Sequence, residues 1–371
     1  MEYTENVLRQ WIDAVGEPDR EAMNAAEKRQ AALAKPPGSL GTLESLSVQL
    51  AGITGRVKNN LGRREILVFC ADNGVCAEGV SSAPQSVTYA QTVNLVRGKT
   101  GAASIAAEFG CRLRVCDVGV AVPVREPGVI GRKIAPGTKN ILKEPAMTRG
   151  DAIRAILTGA SLAAESVREG AEVLGVGEMG IGNTTTASAV LSVLTGADPK
   201  AVTGRGGGIT DEAFERKIDV IRSSIARGNP DPGDPVGVLA EVGGFDIAAM
   251  AGAYIGAARG RVPVIADGFI SIVAALCATR LCPRVRAFLI PSHASYEIGY
   301  RIAAEEMGLK PLFDLGMRLG EGSGTPIAMQ ILDAACAVMN RMATFDEAGI
   351  DDGYLEPIRA ADSFTVREED K

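Results

Sequence analysis

From residue 65 onward the sequence repeats one pattern, in which a short apolar run ends in a polar or glycine residue and a helical stretch follows. The apolar runs occupy residues 65–71, 112–117, 172–176, 262–266, 285–290 and 311–314. Strands that are apolar along their whole length are typical of parallel sheets covered by helices on both faces. The pattern therefore predicts an α/β fold with a mainly parallel sheet.

The ligand site of such a fold is expected at the carboxyl ends of the strands, where loops and helix N-termini meet. Polar and glycine residues concentrate at these positions, in the segments 72–74, 117–119, 177–185, 267–268 and 291–293. This concentration predicts a functional site along one edge of the sheet.

The composition argues against several classes of protein. A net charge of −6 without a basic stripe argues against nucleic-acid binding, although backbone amides can still hold a small anion. An odd number of cysteines and a single histidine predict reduced thiols and no metal site. No uncharged apolar run reaches the roughly 18 residues of a membrane span, and the N-terminus lacks a signal-peptide pattern. We therefore expect a soluble cytoplasmic protein.

The segment 177–188 (GEMGIGNTTTAS) follows a predicted strand and begins a predicted helix. Gly180 and Gly182 allow backbone amides to turn inward, and Asn183 and Thr184 are suitable helix caps. Such a helix start presents free N–H groups and a partial positive charge to an anion. A purely structural turn is the alternative. The missing G-x-G-x-x-G fingerprint argues against a nucleotide-dependent dehydrogenase.

A second glycine cluster lies at residues 203–217 (TGRGGGITDEAFERK) and precedes a helix for which Thr210 is the predicted N-cap. Lys217, about two turns into this helix, is a candidate point charge for a phosphate. A mobile loop is the alternative for this segment. Two such clusters within roughly 30 residues together favour a nucleotide-sized anion site.

Glu321 lies in a glycine-rich turn at 319–324, just before a long predicted helix at 326–342. Burial beside apolar neighbours would raise the pKa of its carboxyl, as suits a general base near neutral pH. The alternative is that Glu321 has no catalytic role and is favoured at the start of a helix by the macrodipole. This alternative explains the spacing equally well. His293 is interpreted as a cap or substrate-orienting residue, because no nucleophile elbow for a hydrolase is present.

Seven segments carry a family resemblance, namely KPPGSLG (35–41), ADNGVCAEGVSSAPQSVT (71–88), GEMGIGNTT (177–185), TGRGGG (203–208), DGFIS (267–271), SHAS (292–295) and LGEGSGTP (319–326). In this order they resemble the motifs of the nicotinate-nucleotide:dimethylbenzimidazole phosphoribosyltransferase family of the cobalamin pathway. The similarity extends from about residue 30 to residue 345, and seven motifs in matching order are highly specific.

The resemblance implies a doubly wound parallel-sheet domain and a small helical domain built from both chain ends, assembled as a homodimer. We expect the large catalytic domain at residues 61–325 and the small domain at residues 1–60 together with about 326–371. The implied reaction transfers 5-phosphoribosyl from nicotinate mononucleotide to 5,6-dimethylbenzimidazole or a related aromatic base, without a cofactor. A non-catalytic nucleotide-binding or regulatory protein is the alternative, and Glu321 distinguishes the enzyme from it.

The resemblance also implies roles for individual residues. Glu321 matches the catalytic glutamate of the family, and Glu178 matches a second carboxylate. The residues implied in phosphate and nucleotide binding are Gly180, Gly182, Asn183, Gly206, Gly207, Lys217, Ser292 and Ser295. The residues implied in the pocket for the acceptor base are Ser81, Gln85, Gln91, Met179 and Leu319.

Overall fold

The computed structural model describes residues 2–361, which divide into two compact units. The large unit contains residues 2–16 and 63–328, and the small unit contains residues 17–62 and 329–361. The division differs at the N-terminus from the boundaries expected from the sequence, which assigned residues 1–60 to the small domain. The expected small domain also included residues 362–371, which lie outside the described residues.

The helices of the described residues are α1 (Glu5–Asp13), α2 (Arg20–Ala32), α3 (Thr42–Thr54), α4 (Ser86–Val96), α5 (Gly101–Glu108), α6 (Arg149–Arg168), α7 (Asn183–Thr195), α8 (Pro199–Val202), α9 (Asp211–Gly228), α10 (Pro235–Val242), α11 (Phe245–Arg259), α12 (Phe269–Leu281), α13 (Gly299–Glu306), α14 (Thr325–Arg341), α15 (Phe345–Ala348) and α16 (Glu356–Ala361). Helix α14 confirms the long helix predicted near the C-terminus. Within residues 2–361, no helix combines the length and the apolar character needed to cross a membrane.

Helix α1 belongs to the large unit because its apolar side is buried there. Leu8 and Trp11 are buried, and the guanidinium carbon of Arg259 at the end of α11 lies 4.2 Å from the centroid of the Trp11 ring. This cation–π contact adds an electrostatic attraction to the apolar packing.

Six strands of the described residues form one sheet: β1 (Arg64–Ala71), β2 (Arg112–Gly119), β3 (Ile130–Gly131), β4 (Val173–Met179), β5 (Val264–Ala266) and β6 (Leu289–Pro291). Their order is β3-β2-β1-β4-β5-β6, and every pairing is parallel. The chain runs outward from β1 to β3 and then returns to β4 beside β1. The doubly wound α/β fold is thereby confirmed, and its reversal of direction leaves a crevice at the carboxyl ends of β1 and β4.

Two strand predictions are wrong in part or in full. Residues Pro283–Phe288 form a 3₁₀ helix, in which the backbone N–H of Val285 bonds to the carbonyl of Cys282, so the strand begins only at Leu289. Residues 311–314 contribute only one isolated bridge, between His293 and Phe313. Apolar composition alone does not distinguish a short strand from a buried turn.

The small unit has its own apolar core, which consists of Ala22, Ala26, Leu33, Ala51 and Met339. An ion pair of 2.7 Å between Lys35 and Glu44 lies in the same unit, and Lys35 is buried. Glu44 thereby supplies the charged partner that the buried ammonium of Lys35, in the KPPGSLG segment, requires.

Candidate active site

A cavity of about 590 Å³ opens at the carboxyl ends of β1, β4 and β5. Its wall is formed by residues in the segments 81–91, 178–184, 206–207, 267–271 and 295–321, all in the large unit. Parallel strands bring these distant segments together because their carboxyl ends lie along the same edge of the sheet. The volume is within the range of sites that bind small molecules.

The cavity gathers most of the residues predicted from the sequence. Those that line it are Glu178, Glu321, Ser81, Gln91, Met179, Gly180, Gly182, Asn183, Gly206, Gly207, Ser295 and Leu319. Gln85 instead lies exposed at the start of α4, where it lines a separate shallow depression. Lys217 and Ser292 are buried beside cavity-lining residues and do not line the cavity themselves.

The carboxylate of Glu321 is held by two hydrogen bonds. Its Oε2 accepts one from the backbone N–H of Ala102 (3.2 Å), and its Oε1 accepts one from the side-chain amide of Gln91 (3.4 Å). The backbone φ of Glu321 is 62°, in the left-handed region that a residue with a side chain rarely adopts. Such a conformation persists only where the surrounding structure imposes it, and it is frequent at functional sites.

Burial raises the pKa of Glu321 above its usual range. Glu321 is 4% exposed as a residue, and the N–H of Ala102 and the hydroxyl of Thr100 partly counteract the effect of burial on its pKa. The negative charge of Asp267 adds a further increase to this pKa. A carboxylate with a raised proton affinity is chemically suited to act as a general base.

Glu178 lies near the end of β4, and burial raises its pKa to about 8. The charge of Asp246 is the second cause of this increase. The side-chain amide of Asn183 donates hydrogen bonds to Glu178 and, at 3.1 Å, to Asp246. Burial and the charge of Asp246 therefore both favour the protonated form of Glu178.

Asn183 does not cap α7, contrary to one expectation from the sequence. Gly182 is the N-cap residue, with φ of 93° in the left-handed region and no side-chain cap bond. A glycine is needed at this turn because other residues adopt that φ only with strain. The amide of Asn183 is thereby free to bind the two carboxyl groups.

Asp267 follows β5 and lines the same cavity. Its carboxyl is 1% exposed, and burial raises its pKa to about 7 although several backbone N–H groups oppose this shift. We refer to Glu178, Asp267 and Glu321 as the carboxylate wall of the cavity.

Residues 204–208 form a second side of the site, which we call the glycine loop. The ammonium of Lys217 donates hydrogen bonds to the carbonyl of Gly204 (3.0 Å) and to the hydroxyl of Thr184 (2.9 Å). The backbone N–H of Gly206 donates to Glu297 (2.9 Å), which is buried. Burial lowers the pKa of Lys217 to about 8, and the charge of Glu297 opposes that decrease.

The predicted N-cap of the following helix is confirmed. The hydroxyl of Thr210 accepts a hydrogen bond from the backbone N–H of Ala213 (3.2 Å) at the start of α9. This cap fixes the first turn of the helix that carries Lys217.

His293 is fully buried and does not line the cavity. Its Nδ1 lies 3.0 Å from the hydroxyl of Ser292, and burial lowers the pKa of its ring to about 4. The imidazole is therefore neutral at physiological pH. Among the described residues, no group of three or more histidine, cysteine, aspartate or glutamate side chains is arranged to hold a metal ion.

Sequence reasoning missed Asp246 and Glu297 and gave Asp267 no individual role. Asp246 was detectable in principle, since it is the only charged residue between positions 242 and 258. A charge in an apolar helix is rare unless it is paired. Glu297 follows the SHAS segment by two residues, and no spacing in the sequence links it to the glycine loop, which precedes it by about 90 residues.

Comparison with known proteins gives a consistent result. A family model described as phosphoribosyltransferase matches residues 15–350. The nicotinate-nucleotide–dimethylbenzimidazole phosphoribosyltransferase of Clostridium perfringens is 47% identical over 360 residues, which cover 97% of this chain and 100% of the relative. The enzyme of the same name from Ruminiclostridium cellulolyticum is 48% identical over 340 residues, covering 92% of this chain and 97% of the relative.

A similar fold is known from crystal structures. CobT from Thermus thermophilus superimposes with a TM-score of 0.86 at 43% sequence identity. The superposition covers 90% of this chain and 100% of the Thermus chain.

Proposed function

This chain belongs to the phosphoribosyltransferase family, and we propose that it transfers 5-phosphoribosyl from nicotinate mononucleotide to 5,6-dimethylbenzimidazole or a related aromatic base. The products are α-ribazole 5′-phosphate and nicotinate, in the assembly of the nucleotide loop of cobalamin. The names and the nearly full-length coverage of the relatives support this proposal. The observation that carries it is a buried glutamate of raised pKa, Glu321, in the same cavity as two glycine-rich segments.

In the proposed reaction, one nitrogen of the acceptor base attacks C1′ of the ribose while its other nitrogen loses a proton. Glu321 accepts this proton, since its carboxylate is already held by Ala102 and Gln91. The bond between C1′ and the nicotinate nitrogen breaks as the new bond forms. Attack from the face opposite the leaving group accounts for an inverted, α-configured product.

The leaving group requires no acid in this proposal, because the pyridinium of nicotinate mononucleotide departs as neutral pyridine nitrogen. Glu178 is then available as a second catalytic carboxyl that contacts the aromatic base. Its raised pKa supports a neutral carboxyl, which is able to donate a hydrogen bond to a substrate atom other than the two base nitrogens that react.

The phosphate is proposed to bind the two glycine segments through the backbone N–H groups of Gly180, Gly182 and Gly207 and the hydroxyl of Ser295. Gly206 belongs to the same site by shaping the loop, since its own N–H donates to Glu297. Lys217 supports this assignment, because an ammonium has three donors and two of them bind Thr184 and the glycine loop. The third donor is directed to the phosphate in our proposal. Holding phosphate and base in separate parts of one cavity supplies the orientation that the transfer needs.

The acceptor base is proposed to lie against Ser81, Gln91, Met179 and Leu319, which line the cavity around Glu321. Leu319 is 56% exposed at the rim, so an incoming aromatic ring would cover apolar surface there. A cytoplasmic location and a homodimer also belong to this proposal.

The direct test is incubation of the purified protein with nicotinate mononucleotide and a panel of benzimidazoles, purines and phenols, with products identified by mass spectrometry. We expect one riboside phosphate and one nicotinate for each nucleotide consumed. Nucleotide binding without consumption in the presence of every base would contradict the enzyme and favour a binding protein.

A further inference from the structure

Asp267 makes two hydrogen bonds to the turn that carries Glu321. Its Oδ2 accepts one from the backbone N–H of Gly322 (3.0 Å), and its Oδ1 accepts one from the backbone N–H of Gly324 (2.7 Å). The carboxyl is buried at the end of a strand, so it is fixed by the sheet rather than by the turn. Asp267 thus connects a rigid element to the segment on which the general base is placed.

The turn itself needs such a connection. Gly320, Glu321 and Gly322 have φ values of 80°, 62° and 83°, three consecutive residues in the left-handed region. Holding a non-glycine residue there costs free energy, which the surrounding contacts must supply. The turn also packs directly against β4 at Gly177. A Cβ added to Gly177 would lie 2.3 Å from the backbone nitrogen of Gly322, so no side chain fits between the strand and the turn. Without an anchor, Glu321 would relax toward an ordinary backbone conformation and its carboxylate would change direction.

We propose that Asp267 is a positioning residue for the phosphoribosyl transfer, acting by fixing the turn that aims the carboxylate of Glu321 at the acceptor base. The inference rests on the proposed function. Asp267 acts through the turn because each of its carboxylate oxygens is already engaged by a backbone N–H. Only a carboxylate fits both donors, since an amide offers one acceptor oxygen and would set its own N–H₂ against the other N–H.

The test is a double-mutant cycle with Asp267→Asn, Glu321→Gln and the combined variant. We expect Asp267→Asn to lower kcat by about 10- to 100-fold, as misplacement of a reacting group by about 1 Å can do, with KM for nicotinate mononucleotide within about twofold of wild type. In the Glu321→Gln background, Asp267→Asn should change kcat by less than about threefold, because the group it positions is already lost. Unchanged kcat in the single variant, or losses that multiply in the double variant, would overturn the proposal.

Asp117 provides a matched control for loss of a buried carboxylate. It is 3% exposed and accepts hydrogen bonds from the backbone N–H groups of Gly119 (3.1 Å) and Val120 (2.9 Å) at the end of β2, but it does not line the cavity. We expect Asp117→Asn and Asp267→Asn both to lower the unfolding temperature, and only Asp267→Asn to lower kcat. Equal losses of kcat in both variants would assign the effect to general destabilisation and refute the positioning role.

If Asp267→Asn does not fold, Asp267→Glu supplies the second test. This variant retains the charge but displaces the acceptor oxygens by one methylene, so we expect a lower kcat at unchanged KM for the nucleotide. Wild-type kcat in Asp267→Glu would overturn the proposal. Failure of the proposed function looks different, because the wild-type protein itself would then consume no nucleotide with any base.

Discussion

The carboxylate wall and the glycine loop border the same cavity but are built in opposite ways. In the wall, ionisable side chains line the cavity, and fixed backbone N–H groups hold Asp267 and Glu321. In the loop, the backbone of Gly206 and Gly207 lines the cavity, and the ammonium of Lys217 is buried behind it. Glu297 also lines the cavity, but it accepts the N–H of Gly206 and so holds the loop. The difference reflects two chemical tasks, since proton transfer needs one carboxyl of tuned pKa, whereas phosphate binding needs several N–H groups around an anion.

The largest effect expected from this difference between the two regions is that of Glu321→Gln in the carboxylate wall. We expect turnover to fall by roughly 10²-fold or more, because the amide cannot accept the proton of the incoming base. The dissociation constant for nicotinate mononucleotide, measured by calorimetry, should stay within about threefold of wild type, a change of less than about 0.7 kcal/mol.

Glu126→Gln is the control for that variant, because Glu126 pairs with Arg97 on the surface and does not line the cavity. Wild-type turnover in Glu321→Gln, or an equal loss of turnover in Glu126→Gln, would show that the carboxylate wall has no role in proton transfer.

Lys217→Met tests phosphate binding at the glycine loop. The methionine preserves most of the buried volume of the lysine side chain. Loss of a charge-assisted hydrogen bond costs roughly 1.5–3 kcal/mol, so the dissociation constant for the nucleotide should rise about 10- to 100-fold. We expect kcat at saturating nucleotide to change less than the dissociation constant does.

Lys133→Met is the matched control, since Lys133 donates to the carbonyls of Val120 and Val122 away from the cavity. An unchanged dissociation constant in Lys217→Met would show that the glycine loop holds the phosphate without this ammonium.

Glu178→Gln gives the smallest of the three effects and concerns stability. The folded protein retains a proton on Glu178 up to about pH 8, whereas the unfolded chain releases it near its ordinary pKa of 4.5. The stability contributed by this group is therefore fully present below pH 4.5 and is lost as the pH rises through about 8.

Glutamine cannot ionise, so at pH 9 the variant should exceed wild type in free energy of unfolding by at least about 1 kcal/mol. Near pH 4 the two proteins should be equally stable. Urea unfolding at both pH values measures the difference. A variant that is less stable than wild type at pH 9 would mean that the surroundings of Glu178 stabilise its ionised form, so that its pKa is not raised.

The sequence predicted parts of both regions. Both glycine segments, Glu178 and Glu321 stand directly after predicted strands or before predicted helices, so local patterns identify them as candidates. The alternation of strands and helices likewise predicted the parallel sheet, because its signal is repeated along the chain.

What the sequence did not predict depends on contacts between distant segments. Glu297 accepts a hydrogen bond from Gly206, which is 91 residues away in the sequence, and Asp267 accepts one from Gly322, which is 55 residues away. The role expected for Asn183 as a cap was wrong because Gly182 occupies the N-cap position, and the side-chain amide of Asn183 donates to two buried carboxyl groups instead. Lys217 lies in the helix that begins at the predicted N-cap, as expected. Its burial, however, results from tertiary packing, which no local sequence pattern indicates.

The most direct test of the account is a crystal structure of the protein with α-ribazole 5′-phosphate. We predict that the Glu321 carboxyl lies about 2.6–3.2 Å from the benzimidazole nitrogen that is not bonded to ribose, with the phosphate on the N–H groups of the glycine loop. A Glu321 side chain turned toward solvent, with another group facing that nitrogen, would contradict it.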